Sequence, residues 1–335
     1  ILTYYYLVNL NLLKDLEAII YKKMSIPIID ISPIFGNDQN KINELVNLVD
    51  KTMQEVGFFM IKNHQFKTNV LDKTWKLTRK YFDQSFEIKN KIHMTLDYPY
   101  GYESKEILSL SFNQDKVTHP DMKETFQICI NSKNNKLPQT PNQMASAVTN
   151  YYLSMSQLAE KLLEIFALAL KEPRNWFKNK IDNHQSALRL LNYPHVENYI
   201  PGRTRATQHS DYGILTILKQ DNVGGLQVLS KEEKWIDAKS PDDCFVINIG
   251  DLMKRWTNDK WKSTIHRVVN PKIQKRVNNR RQSIAFFFNA NSDTIVQTFE
   301  SCKNNGTSKY TDVIAGEYLM IKHQKAMKAL NDKLN

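Results

Sequence analysis

The chain has 335 residues, 41% of them apolar, with 15 Tyr, 15 Phe and 5 Trp against only 10 Gly and 11 Pro; this composition excludes disorder and collagen-like or linker-dominated architectures. The length suits one large domain or two modest ones. Lys plus Arg number 46 against 35 Asp plus Glu, a formal charge of +11, but no long basic run is interleaved with aromatics, so a solvated basic surface is expected rather than a nucleic-acid site.

Residues 1–23 open with apolar character, yet Asn9, Asn11, Lys14, Asp15 and Glu17 interrupt it well short of the roughly 20 apolar residues of a membrane span. They are read as an extension outside the fold. Ile26–Ile31 is strand-like, and Ile42, Leu45, Val46, Val49, Met53 and Val56 follow at steps of three and four, the face of a helix that Gly57 ends. Phe58–Ile61 reads as a buried strand, and a second helix carries Val70, Leu71, Trp75 and Phe82. Asn131–Lys136, with Pro138 and Pro141 beyond it, is a surface loop.

Val148, Tyr152, Met155, Ala159, Leu162, Leu163, Phe166 and Leu170 keep helical phase up to Pro173, as a central packing helix would. From Ser186 to Val296 the chain changes to short apolar runs broken by turn residues: Ala187–Leu191, Leu215–Leu218, Gly225–Val228, Phe245–Ile249, Ile265–Val269 and Ser283–Phe288. Strands in such a series predict a sandwich or barrel, and the chain returns to helix from Glu317. Residues 24–140 and 141–335 are accordingly taken as an N-terminal region and a core region of one protein. Cys129, Cys244 and Cys302 are odd in number and lack a CxxC pair, which favours a reducing, cytoplasmic setting.

Chemistry concentrates at three places. His209-Ser210-Asp211 presents an imidazole and a carboxylate two residues apart, on one face of an extended chain. His266, 57 positions beyond His209 in a strand-like run, offers a third ligand; two His and one carboxylate make the facial triad of non-heme Fe(II) oxygenases. The same spacing recurs at His119-Pro120-Asp121 and His195-Val196-Glu197. The first is set aside because of its intervening Pro and polar surroundings, the second because it follows Pro194 in a turn-rich segment. Arg281-Gln282-Ser283 then enters the apolar run Ile284–Phe288, and its guanidinium and hydroxyl share a face able to bind one carboxylate. A basic hairpin around Lys272, Lys275, Arg276 and Arg280 is the plainer alternative.

These residues, with Ile26–Pro33, Gly57-Phe58-Phe59, Ser186–Pro194, His209–Leu218, Gly224–Val228, Asn248–Val268 and Arg281–Asn289, resemble the Fe(II)/2-oxoglutarate-dependent oxygenases of the isopenicillin N synthase type. The resemblance implies a mainly β fold with flanking helices, a double-stranded β-helix or jelly roll. It also implies iron on His209, Asp211 and His266, and 2-oxoglutarate held by Arg281 and Ser283 with help from Tyr193. Dioxygen and a small organic molecule would be the other reactants, ascorbate the reductant, and the protein a monomer. Segment Tyr98–Gln127, including Tyr102 and Phe112, would cover the barrel mouth, and Arg189, on one face with Tyr193, would meet a substrate anion. Two alternatives remain: an oxidase that draws all its electrons from the substrate, and a non-catalytic binding protein on the same barrel.

Overall fold

The computed structural model describes residues 25–95, 99–104, 121–132, 135–197, 204–270 and 278–334; the 1–23 extension, Phe112, His119 and Pro120 lie outside the described residues. Among the described residues, twelve strands build two sheets: β1 (Ile28–Asp30), β2 (Phe58–Lys62), β3 (Gly101–Glu103), β4 (Glu124–Ile128), β5 (Ala187–Tyr193), β6 (Ala206–His209), β7 (Leu215–Gln220), β8 (Leu226–Leu229), β9 (Trp235–Asp237), β10 (Phe245–Ile249), β11 (His266–Val268) and β12 (Arg281–Phe288). The larger sheet runs β1-β2-β10-β7-β12-β5-β4-β3 and the smaller β6-β11-β8-β9. A short ladder of β13 (Ile295–Val296) and β14 (Val313–Ile314) stands apart.

The central strands read as nearly unbroken apolar runs because the larger sheet is covered on both faces. Phe59, Ile61, Ile217, Ile247, Ile284 and Phe286 point outward into a core shared with the helices. Met60, Leu191, Tyr193, Val246 and Ala285 point inward, against Ala206, Leu226, Val228 and Val268 of the smaller sheet. The space between the sheets is the jelly-roll interior.

Three long helices lie on the outer face. Asp38 caps Gln39–Glu55 by accepting from the backbone N–H groups of Asn40 and Lys41. Its chain reverses at Gly57, which has φ +72° and lies so close to Lys262 that a Cβ would stand 2.3 Å from the Lys262 carbonyl oxygen. Thr68–Phe82 follows. The third, Met144–Ala169, buries residues on most of its circumference, and Tyr152 Oη donates to the Ser186 carbonyl at 2.9 Å. The first two strands join the larger sheet itself: β2 pairs antiparallel with β10, with Met60 opposite Val246.

Several elements escape the sequence pattern. Ala206–His209 is a strand although Thr-Gln-His has no apolar alternation, because its side chains serve the barrel interior and its position at the sheet edge asks for one partner strand only. Asp251–Trp256 forms a short helix directly after β10. The last helix, by contrast, is expected from Glu317 and begins at Ala315, directly after β14.

Phe286 is fully buried, opposite Ile217 and Leu188 and with its ring 5.0 Å from that of Tyr152. Phe286→Ala is expected to destabilise the protein by about 3–5 kcal/mol, read as a lower denaturant midpoint at unchanged m-value.

Candidate active site

The site starts from a strand register. β6 and β11 run antiparallel with His209 directly opposite His266, so both imidazoles rise from one face, their centroids 4.3 Å apart. His209 Nδ1 donates to the Thr207 carbonyl (2.6 Å) and His266 Nδ1 to the Thr264 carbonyl (3.1 Å). A carbonyl only accepts, so each Nδ1 carries a proton and each Nε2 is the ring atom left to face the site. Phe58 packs edge-on to His266 at 5.2 Å.

Asp211 sits just beyond the end of β6. Its Oδ1 lies 3.9 Å from His209 Nε2 and 3.7 Å from His266 Nε2, while Oδ2 accepts from Thr216 Oγ1 (2.6 Å) and Asn248 Nδ2 (2.7 Å). One ligand atom from each of the three residues lies within 4.8 Å of the others. Burial opposes the Asp211 charge, but the two histidines, Thr216 and Asn248 hold its carboxyl below the usual range. Burial and the neighbouring His266 push His209 down to about 4, so that ring is neutral at pH 7. Two imidazoles and one carboxylate, with their unused atoms already engaged, suit a divalent iron.

The backbone carrying Asp211 is pinned from below. The Asp251 N–H donates to the Asp211 carbonyl (2.8 Å) and the Leu252 N–H to that of Tyr212 (3.1 Å). Gly250 makes this approach possible, since a Cβ there would lie 2.4 Å from the Gly213 carbonyl oxygen and 2.9 Å from that of Asp211.

Across the interior, β12 places Arg281 opposite Tyr193 and Ser283 opposite Leu191. Arg281 is 1% exposed; its Nη2 donates to Gln220 Oε1 (2.8 Å), its Nη1 to Ser283 Oγ (3.2 Å), and its carbon Cζ lies 4.7 Å from the Tyr193 ring centre. Its Nε has no hydrogen-bond partner among the described residues. A buried guanidinium with an unfilled donor, beside a hydroxyl, fits an anion such as a carboxylate. Arg280 points the other way, pairing with Asp83 and donating to Asn192 Oδ1 at 2.7 Å. Strand alternation therefore separates these neighbouring arginines.

Of the other histidine–carboxylate pairs, His195 and Glu197 are exposed, and His195 bonds to Asn279 (3.1 Å). Asp121 is different: it is 1% exposed and accepts from the Thr207 N–H at 2.8 Å. Its polar sequence surroundings concealed a buried position. Tyr102 is a packing residue whose Oη donates to Glu124 at 2.5 Å.

Residues 185–290 match the profile of the 2OG-Fe(II) oxygenase superfamily, and residues 26–147 that described as non-haem dioxygenase in morphine synthesis N-terminal. A homoarginine-6-hydroxylase of Oryza sativa subsp. japonica is 32% identical over 326 residues, spanning 89% of this chain and 96% of its own. The chain belongs to the 2OG-Fe(II) oxygenase superfamily. A 2-oxoglutarate-Fe(II) type oxidoreductase of Emericella nidulans is 30% identical over 319 residues, spanning 87% of this chain and 89% of its own. A full-length Neurospora crassa protein crystallised in complex with alpha-KG superposes with a TM-score of 0.80 at 29% identity, covering 90% of this chain and 96% of that one. The oxygenase is thus a dioxygenase that uses non-heme Fe(II) and 2-oxoglutarate to oxidise a small organic molecule.

Sequence reasoning passed over Thr216, Asn248, Gln220 and Gly250. A signal existed for the first two: each is the polar interruption of an apolar strand, Leu215–Leu218 and Phe245–Ile249. Thr216→Val removes one of the two donors to Asp211 Oδ2 at near-constant volume. It is expected to weaken Fe(II) binding about 10-fold or more, measured by anaerobic titration of the metal-free protein.

Proposed function

We propose that His209, Asp211 and His266 are the three iron ligands and that Arg281 and Ser283, with Tyr193 beside them, hold the distal carboxylate of 2-oxoglutarate. The convergence of the three donor atoms within 4.8 Å carries this reading. It is supported by the placement of Arg281 and Ser283 on the inward face of the opposite sheet. When bound, iron and 2-oxoglutarate supply the oxidation, in which 2-oxoglutarate and dioxygen give succinate, CO2 and one oxygen atom for the substrate. The protein's part is to hold, orient and exclude. The imidazoles offer Nε2 because their Nδ1 protons are occupied, Asp211 offers Oδ1 because its Oδ2 is occupied, and the apolar interior keeps bulk water away.

The substrate we infer is a small polar molecule. Arg189 lies on the inward face of β5 with its Nε donating to Gln127 Oε1 (2.8 Å) and its guanidinium 5.7 Å from the Phe287 ring, an arrangement suited to an anionic or carbonyl group. The names of relatives agree in scale: one is a homoarginine hydroxylase, and the Neurospora crassa protein was also crystallised with alpha-KG and thymine. Cys129, Cys244 and Cys302 are buried free thiols, which supports a reducing cytoplasmic location. No helix among the described residues is long and apolar enough to cross a membrane. We read the protein as a monomer that uses ascorbate to return oxidised iron to Fe(II).

His209→Ala and His266→Ala are each expected to lose stoichiometric Fe(II) while His195→Ala keeps it; iron content after anaerobic reconstitution and desalting decides the assignment. Arg281→Lys replaces a planar fork by a point charge and should raise the apparent KM for 2-oxoglutarate about 10-fold or more, since hydrogen bonds to charged groups contribute about 1.5–3 kcal/mol. Arg280→Lys should leave that KM unchanged. Succinate release in step with oxygen uptake checks the coupling; oxygen uptake without succinate would favour an oxidase that draws its electrons from the substrate.

A further inference from the structure

We infer that Asp121 is a positioning residue for His209, acting through Thr207, and that Lys123 is built into the fold to keep that carboxylate in place. The inference rests on His209 being an iron ligand, as proposed above.

Asp121 Oδ1 accepts two hydrogen bonds from one residue, from the Thr207 N–H at 2.8 Å and from Thr207 Oγ1 at 2.6 Å. Its Oδ2 accepts from Lys123 Nζ at 2.7 Å. The ion pair is almost wholly withdrawn from solvent, with side-chain exposures of 6% for Lys123 and 0% for Asp121. Thr207 in turn offers its carbonyl to His209 Nδ1 at 2.6 Å. A continuous chain of short contacts therefore runs from a buried carboxylate to the ring that presents Nε2 to the metal.

The place of this contact in the ladder explains why it is needed. β6 is an edge strand, and its pairing with β11 is irregular where Thr207 lies: His266 stands opposite His209, but Val268 stands opposite Ala206, three residues back rather than two. A bulge leaves backbone groups without their regular partners and lets the strand bend. Segment 121–123 runs along this edge, with the Met122 N–H donating to the Thr204 carbonyl at 3.1 Å, and Asp121 grips the residue on which the ladder has lost its regular register. A buried ion pair is an expensive way merely to cover a strand edge. A fixed acceptor at the base of a ligand imidazole gives it a purpose, because outer partners set ligand orientation and are typically worth about 10–100-fold in metal affinity.

Anaerobic Co(II) titration of the full-length, metal-free protein, read by visible absorption, tests this without turnover. Asp121→Ala is expected to bind Co(II) about 10–100-fold more weakly. Thr207→Val, which removes only the hydroxyl bond, should weaken it less and guards against failure of the first variant to fold. Asp121→Asn combined with Lys123→Met keeps an acceptor for Thr207 without leaving a lone buried charge, and should recover most of the affinity. Thermal melting of the metal-free proteins separates the roles, since a purely structural Asp121 would lower the metal-free melting temperature and leave the Co(II) affinity of the folded protein at the wild-type value. That outcome, with His209→Ala unable to bind, would overturn the inference alone. Wild-type affinity in His209→Ala would overturn the ligand assignment and the inference with it.

Discussion

In the antiparallel pair β6–β11, His209 and His266 face one another across the ladder, so the separation of the two proposed metal ligands is a property of backbone hydrogen bonding rather than of side-chain reach. Each ring is then oriented by a carbonyl two residues back along the chain, Thr207 for His209 and Thr264 for His266. Ring orientation is thereby tied to the strand and little is left to rotamer choice. The third proposed ligand, Asp211, comes from a loop, and the loop is held by the N-terminus of the Asp251–Trp256 helix and by the absence of a side chain at Gly250.

A site assembled inside a barrel must manage buried charge. Asp211 is accompanied by hydrogen bonds from Thr216 and Asn248, Asp121 by Lys123, and Arg281 by Gln220 and Ser283. Leaving any such group alone in a poorly polar interior costs several kcal/mol, so the polar residues occur in sets. The larger sheet supplies both the packing on its two faces and the hydrogen-bond partners of Asp211 and Arg281. Its outer face is closed by the long helices and its inner face carries Asn248, Thr216, Arg281 and Ser283 among apolar neighbours.

The contributions of distant segments follow from that architecture. β1 and β2 extend one end of the sheet and β4 and β3 the other, so the first half of the chain completes the wall of a site whose proposed ligands all belong to the second half. Gln127 reaches Arg189 and Asp121 reaches Thr207 from this wall.

Local pattern in the sequence determined a good deal. Helical phase marked Gln39–Glu55, Thr68–Phe82 and Met144–Ala169, apolar runs marked β2, β5, β7, β10 and β12, and residue chemistry at two-residue spacing singled out His209 with Asp211 and Arg281 with Ser283. These are short-range properties, set by periods of 3.6 and 2 residues. The tertiary structure alone decided which of Arg280 and Arg281 enters the barrel, since that depends on the register of β12 against β5 and β7. It also decided that Asp121 is buried against Thr207, 86 positions away in sequence. A polar strand such as Ala206–His209 and a carboxylate in polar surroundings look like surface until pairing partners and burial are known, because a polar group is stable inside a protein only through contacts that long-range folding supplies.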